Sequence, residues 1–469
     1  MRGLQTSRVG GLPSWPNDGL NKEQIMKTLN LARDENLNYD NELTVSFPGA
    51  KPLPISMQAF NMFAAEHANN ICTHTSGESE KGFKGTQILE KIVIKMMAEL
   101  AGAREDEVDG YISSGGNESN IWSMFLGREY LNDTAGAGPI AILTSHLAHY
   151  SIRKAAVING LARDEWFTCQ HCSERFKEDV RHTYAASKDY SGLHLLATDR
   201  DGKLNVEHLR KTILAAIKCG IRKFIIIASE GNVMTGAIDE TAEIGAVIKS
   251  CQAEFPDIHF FLHVDSAFGG FVIPFLYPEK LFAFKVPQVC SYSVDPHKTG
   301  LTPYPAGTLI YRRDERNFRK YLGVQMGYVP GETDGTLCGS RPGASAAACY
   351  AAIQSLGLNG YRQIAEQCYD NTLYATEQIG KLGSLTMTTP EINQFAISHA
   401  ADINFQFSKE FEMKIKLSGH RLPINICSPR EHVKTWYKII FMPHFTKTKV
   451  DQFISLLKQE LATAKKGRG

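Results

Sequence analysis

Five short apolar runs punctuate the middle of the chain: Pro139–Ser145, Lys223–Glu230, His259–Ala267, Cys290–His297 and Gly307–Arg313. Several are nearly unbroken, as in Phe224-Ile225-Ile226-Ile227-Ala228. A strand with one wet face alternates apolar and polar residues, whereas a strand covered on both faces does not, and parallel sheets are the usual case of the second kind. Helical patterns such as Thr241–Ala253 lie between the runs. This alternation predicts an α/β domain built on a large, mostly parallel, doubly wound sheet.

The flanks read differently. Lys22–Asn36 follows a turn-rich Trp15-Pro16-Asn17-Asp18-Gly19 and predicts a surface helix, an arm suited to packing on a partner subunit. Pro330-Gly331 and Asp334-Gly335 mark a flexible stretch, followed by helical runs Ala344–Leu356 and Tyr361–Leu382. The chain then offers a strand, Trp436–Met442, and a helix with Val450, Phe453, Ile454, Leu457 and Leu461 on one face, Thr448 standing as its cap ahead of Asp451. These predict a small α+β C-terminal domain. The expected division is an N-terminal segment over 1–75, a large domain over 76–335 and a small one over 336–469.

Composition narrows the class. A chain of 469 residues, 43% hydrophobic and 22% charged, is an ordinary globular protein able to bury a large core. A net charge of +1 gives no field for nucleic acid or an anionic membrane. Met1 to Arg8 lack the apolar segment of a secretory signal, and no apolar run approaches the roughly 18 residues that cross a bilayer. The ten cysteines are expected as free thiols in a reducing cytoplasm. Cys169-Gln170-His171-Cys172 has the spacing of half a zinc site, but no second such pair follows and His182 is the one extra ligand nearby, so no metal is expected.

The candidate chemistry centres on Ser293-Val294-Asp295-Pro296-His297-Lys298-Thr299-Gly300, preceded by His263-Val264-Asp265-Ser266-Ala267-Phe268-Gly269-Gly270. Burying an ammonium at a strand end is costly unless it is paired or consumed in a covalent bond. A lysine there, with an aspartate upstream at the end of another apolar run, suits pyridoxal phosphate. That cofactor needs an amine for its aldehyde and a carboxylate to keep its ring nitrogen protonated. A surface lysine and a helix-capping aspartate are the plainer alternatives, and the surrounding motif weighs against both. A carboxylate beside a cation has its pKa shifted by about 1–3 units, or roughly 1.4–4 kcal/mol of preference for the pair. Small Ser266 and Ala267 leave room for a flat ring.

Tyr111-Ile112-Ser113-Ser114-Gly115-Gly116-Asn117-Glu118-Ser119-Asn120 reads as strand, glycine turn and helix start, continued by Ile121, Met124 and Phe125. Free N–H groups at such a turn face an anion, the dipole adding about 0.3–1 kcal/mol, up to ~2 when partly buried. Gly115, Gly116 and Asn117 are therefore the phosphate candidates.

These segments resemble the group II pyridoxal-phosphate-dependent decarboxylases, closest in wording to the archaeal-type tyrosine/aspartate decarboxylases. The resemblance covers most of Phe47–Leu461, including Phe83–Gln87 and Lys438–His444, and is weaker in the first 40 residues and Glu165–Tyr184. It implies a fold-type-I pyridoxal 5'-phosphate enzyme, aspartate aminotransferase-like, acting as a homodimer with its active site at the interface. The implied reaction is decarboxylation of an L-amino acid, aromatic such as tyrosine or acidic such as aspartate or glutamate. By the same resemblance Lys298 bonds the aldehyde, Asp265 pairs with the ring nitrogen, Ala267 lies by the ring and His297 is a second phosphate contact. The pattern His-(Tyr/Phe)-Ser selects His149, not His146, as the ring that stacks on the cofactor. Tyr328, in Gly327-Tyr328-Val329-Pro330-Gly331, matches a mobile-loop tyrosine that returns a proton to Cα, a task the freed Lys298 shares as alternative.

Three departures stand out. Asn117 replaces the threonine of Ser-Gly-Gly-Thr-Glu, and Asn232 and Val233 stand where threonines are common, which puts a hydrogen bond near the ring hydroxyl in doubt. Gly339-Ser340-Arg341-Pro342-Gly343 resembles sphingosine-1-phosphate lyase, whereas Pro305-Ala306-Gly307 departs from that enzyme. A C–C lyase using the same cofactor and a non-catalytic binding relative are thus the competing readings. Arg341 is either a contact for a substrate carboxylate or half of a structural salt bridge.

Overall fold

The computed structural model describes residues 19–71, 82–162, 164–169, 175–176, 190–325, 327, 333–423 and 433–466. Nine strands among them form one sheet: β1 (Val108–Ser113), β2 (Ile140–Ser145), β3 (Glu165–Thr168), β4 (Arg175–Phe176), β5 (Gly192–Leu196), β6 (Lys223–Ser229), β7 (His259–Asp265), β8 (Val289–Val294) and β9 (Gly307–Arg312). Their order is β1-β9-β8-β7-β6-β2-β5-β3-β4. The central neighbours from β8 across to β3 are parallel, while β9 runs antiparallel to both β1 and β8, and β4 to β3.

The unbroken apolar runs have their cause in this sheet. Every residue of β2, β6 and β8 is buried, so neither face needs a polar alternate. One face packs against α1 (Lys84–Leu100), α2 (Val206–Lys218) and α3 (Thr241–Glu254), through Ile94, Met97, Leu209, Ile213, Ile244 and Ile248. The other is filled by Met124, Leu126, Ile152 and Phe318. In open α/β sheets the crevice outside the carboxyl ends of parallel strands is where ligands bind. Here Ser229, Asp265 and Ser293 sit in register at that edge.

The C-terminal part has its own antiparallel sheet, in which β10 (Leu385–Met387), β11 (Gln394–His399), β12 (Gly419–Pro423) and β13 (Val433–Ile440) stand in the order β10-β11-β13-β12. Phe395, Ile397, Ile439, Phe453 and Leu457 form its core, so the apolar helix face expected from Val450 to Leu461 is a packing face. The two helical runs expected before it are present as two helices within Gly343–Gly380, here called α4, separated by a kink at Gly357, whose φ of 57° lies outside the helical region. Thr448 is corrected: the last helix starts at Lys447, and Thr446 takes the capping place, its Oγ1 accepting from the Lys449 N–H at 3.4 Å. The predicted surface helix spans Lys22–Asp34, is closed by an Asn21–Gln24 capping box and buries none of its residues. Among the described residues no helix is long and apolar enough to cross a membrane.

Candidate active site

A cleft of about 450 Å³ opens at the carboxyl edge of the large sheet, with Gln394, Lys438 and Ile440 of the small sheet on its far wall. β8 ends at Val294, and the Lys298 N–H turns back onto the Asp295 carbonyl at 3.0 Å. That turn places the side chains of Asp295 and Lys298 together, Nζ to Oδ2 at 2.9 Å. His297 sits between them in sequence; its Nδ1–H donates to the Ala306 carbonyl at 2.5 Å, leaving Nε2 3.5 Å from Asp295 Oδ2. Burial works against the Lys298 ammonium, but the charge and hydrogen bond of Asp295, with Asp265 beyond, outweigh it and raise its pKa.

Asp265, the last residue of β7, has both oxygens anchored: Oδ1 accepts from the Ala267 N–H at 3.1 Å and Oδ2 from Asn120 Nδ2 at 2.8 Å. Opposite it, Gly116 opens a helix running to Ala135, whose first-turn N–H groups have no intrahelical carbonyl. A Cβ on Gly116 would stand 3.2 Å from Asp295 Oδ2 and 3.3 Å from the Ala267 methyl, so a side chain here would crowd both, and glycine keeps the turn bare. Asn117 donates from Nδ2 to the Tyr150 hydroxyl at 3.0 Å, and its Oδ1 is buried without a partner among the described residues.

His149 also lines the cleft and caps the helix Tyr150–Ile158, with Nδ1 2.8 Å from Ser151 Oγ. Burial pulls its pKa down, against the attraction of Asp265. His146 stands apart, its ring nitrogen 3.1 Å from the Leu196 carbonyl, as a loop residue should. The cleft thus brings together Gly115, Gly116, Asn117, His149, Asp265, Ala267, His297 and Lys298. Tyr328 lies outside the described residues, as do His171, Cys172 and His182; Cys169 is a buried free thiol.

Two ambiguous positions have definite surroundings. The Asn232 side chain is spent on its own loop and the one at Gly202: Oδ1 accepts from the Met234 and Thr235 N–H groups, and Nδ2 donates to the Gly202 carbonyl and Thr235 Oγ1. Arg341 does not line the cleft. It is buried against Glu90 in an ion pair, donates to the Ile112 carbonyl at 2.9 Å and lies over the Tyr111 ring, which is the structural alternative. Glu90 also accepts from the Ile112 N–H at 2.7 Å and Asn70 Nδ2 at 2.6 Å. Arg341→Met, which strands that carboxylate in the core, is expected to cost about 3–5 kcal/mol of stability. Chemical denaturation checks this, and an unchanged midpoint would contradict the buried-pair reading.

Sequence reasoning gave Lys438 no role in the site, placing it in a terminal strand and in the segment Lys438–His444 that resembles the family. It is half-buried on β13 with no hydrogen-bond or ion-pair partner among the described residues and lines the cleft that holds Lys298. Burial, and then the Lys298 charge, bring its pKa down to about 8. The available signal was a lone cation in Trp436-Tyr437-Lys438-Ile439-Ile440, where an alternating face is otherwise apolar. Tyr304 was also missed; its ring lies 3.9 Å from that of His297, centroid to centroid.

A family model described as the pyridoxal-dependent decarboxylase conserved domain matches residues 84–400. A probable L-tyrosine/L-aspartate decarboxylase of Methanothermobacter thermautotrophicus is 30% identical over 385 residues, 81% of this chain and 88% of the relative. Among solved structures, L-methionine decarboxylase from Streptomyces sp.590 superposes with a TM-score of 0.78 at 18% identity, covering 96% of this chain and 98% of that one. A sphingosine-1-phosphate lyase of Burkholderia pseudomallei gives 0.74 at 19%, covering 99% and 95%. The fold is therefore common to decarboxylases and the C–C lyase, and it does not separate them. The family model and the archaeal relative are both described as decarboxylases.

Proposed function

Because the chain belongs to the pyridoxal-dependent decarboxylase family, we propose that Lys298, Asp265 and His149 are the residues with which it handles its cofactor and an L-amino acid. The enzyme is a carboxy-lyase that uses pyridoxal 5'-phosphate. When bound, the cofactor supplies the sink for the electron pair left as the bond from Cα to the carboxylate breaks.

The chain's own residues fit that group. The bare turn at Gly115, Gly116 and Asn117, with His297 beside it, suits the phosphate, since a helix N-terminus favours an anion where no side chain stands. Asp265, held by two donors, presents a fixed negative oxygen for a protonated ring nitrogen. Ala267 and His149 line the space a flat ring needs, and Lys298 Nζ is the amine for the aldehyde. The observation that carries this reading is the convergence of Lys298 and Asp265 in one cleft, from neighbouring parallel strands. Tyr328 is the proposed donor of a proton to Cα. Lys298, kept charged by Asp295 at 2.9 Å, is a second source once it is free.

Lys438 is the cation that meets a substrate carboxylate. Its charge is present below about pH 8 and lost above it. Accordingly kcat/KM is expected to fall as pH rises through that value, Lys438→Arg to move the fall to higher pH, and Lys438→Met to raise KM below that pH and to approach wild type above it. A pH profile of wild type identical to that of Lys438→Met would contradict the role.

The side chain of the substrate is aromatic, such as tyrosine, or acidic, such as aspartate or glutamate. Carbon dioxide release measured across the standard amino acids tests this, and aldehyde formation without carbon dioxide would favour the lyase instead. A cytoplasmic homodimer completes the proposal, divided as residues 1–75, 76–335 and 336–469. It is supported by exposed Met62, Ile88, Tyr150 and Tyr304, the last two at the cleft, which are apolar surface that a second copy would cover.

A further inference from the structure

Behind the cleft runs a chain of hydrogen bonds whose direction is set by one acceptor. Asp265 Oδ2 receives Asn120 Nδ2 at 2.8 Å. A carboxylate only accepts, so the Asn120 amide is turned with its NH₂ toward Asp265 and its oxygen away. That oxygen meets His263 Nε2 at 2.8 Å, which puts the His263 hydrogen on Nε2. His263 Nδ1 then accepts from the Ser291 hydroxyl at 2.8 Å, and Ser291 from Ser123 at 2.7 Å. Burial lowers the His263 pKa to about 4 and keeps the ring neutral, as this pattern requires.

The second Asn120 N–H goes to Ser151 Oγ at 2.8 Å. Having accepted there, Ser151 has one O–H to give, and its neighbour is His149 Nδ1 at 2.8 Å. The Ser151 backbone N–H points at the same nitrogen from 3.3 Å. Two donors converge on Nδ1, which therefore carries the lone pair, and the ring hydrogen is on Nε2.

We infer that Asn120 is a positioning residue: through one amide it orients the Asp265 carboxylate and fixes His149 as the Nε2–H tautomer, so that the cleft meets a hydrogen-bond donor at this ring. The opposite tautomer would turn a lone pair toward an incoming carboxylate. The inference depends on the proposed function only for the identity of the bound group, since the tautomer belongs to the protein without cofactor.

The test is ¹⁵N-histidine NMR of the cofactor-free protein at neutral pH, with His149→Gln for assignment, beside titration with pyridoxal 5'-phosphate. Wild type is expected to show a bare Nδ1 and a protonated Nε2. Asn120→Leu, similar in volume, is expected to mix the two tautomers and weaken cofactor binding about tenfold, the equivalent of one charge-assisted hydrogen bond. Ser151→Ala keeps the Asn120–Asp265 bond and is expected to shift the tautomer ratio with little loss of cofactor affinity. A wild-type ring protonated at Nδ1 overturns the inference. So does an Asn120→Leu protein with unchanged tautomer and affinity, or, should that variant not fold, a Ser151→Ala protein with an unchanged single tautomer. A protein with the expected tautomer that releases no carbon dioxide from any amino acid would count against the proposed function and leave this assignment standing.

Discussion

Lys298→Ala is expected to lower turnover by roughly 10³-fold or more and to abolish the yellow absorbance of the cofactor-loaded enzyme. Removing a positioned acid–base group costs ~10²–10⁴-fold, and this substitution also removes the covalent anchor. The surroundings of Lys298 make the loss specific. Lys438 shares the cleft but stands on the small sheet, while Lys298 rides on a turn fixed by the bond from its own N–H to the Asp295 carbonyl. The variant also strips the buried Asp295 carboxylate of its ammonium partner, so it is expected to fold with reduced stability. Steady-state rates and an absorbance spectrum check both halves, and full turnover in the variant would contradict the assignment.

Asp265→Asn is expected to lower kcat by roughly 10- to 10³-fold while the cofactor still binds. That range follows from the ~1.4–4 kcal/mol by which a carboxylate favours a neighbouring cation. The geometry adds a penalty of its own. Both Asp265 oxygens accept, one from the Ala267 N–H and one from Asn120 Nδ2. An amide at 265 has a single oxygen, so one of its ends must face a donor with a donor. The effect should therefore fall on kcat more than on KM, because the substrate carboxylate meets Lys438 instead. A variant with unchanged kcat would remove Asp265 from the chemistry.

Much of the site was legible because its signals are local. The unbroken run in β6 announces burial on both faces, and Lys298 and Asp265 each end such a run, where a charge needs a reason. The glycine turn before Asn117 was legible for the same reason, since strand, turn and helix are contiguous. What escaped depends on contacts made only in the folded chain. Asn120 looks like one more polar residue on a helix until Asp265, His263 and Ser151 gather around its amide. Lys438 becomes a site residue only when β13 is laid across the cleft, 140 positions after Lys298. Arg341 had two readings in the sequence, and Glu90, buried on α1, decides between them. Thr448 shows the limit in one dimension: two threonines flank Lys447, and a shift of the helix start by a single residue passes the cap from one to the other.

The central claim is that one lysine of the two in this cleft bonds the cofactor. Borohydride reduction of the enzyme loaded with pyridoxal 5'-phosphate, followed by peptide mass mapping, tests it directly. The expected result is a phosphopyridoxyl group on Lys298 and none on Lys438, although the pKa of about 8 makes Lys438 a reactive amine as well. A label on Lys438, or no stable label on either, would contradict the account.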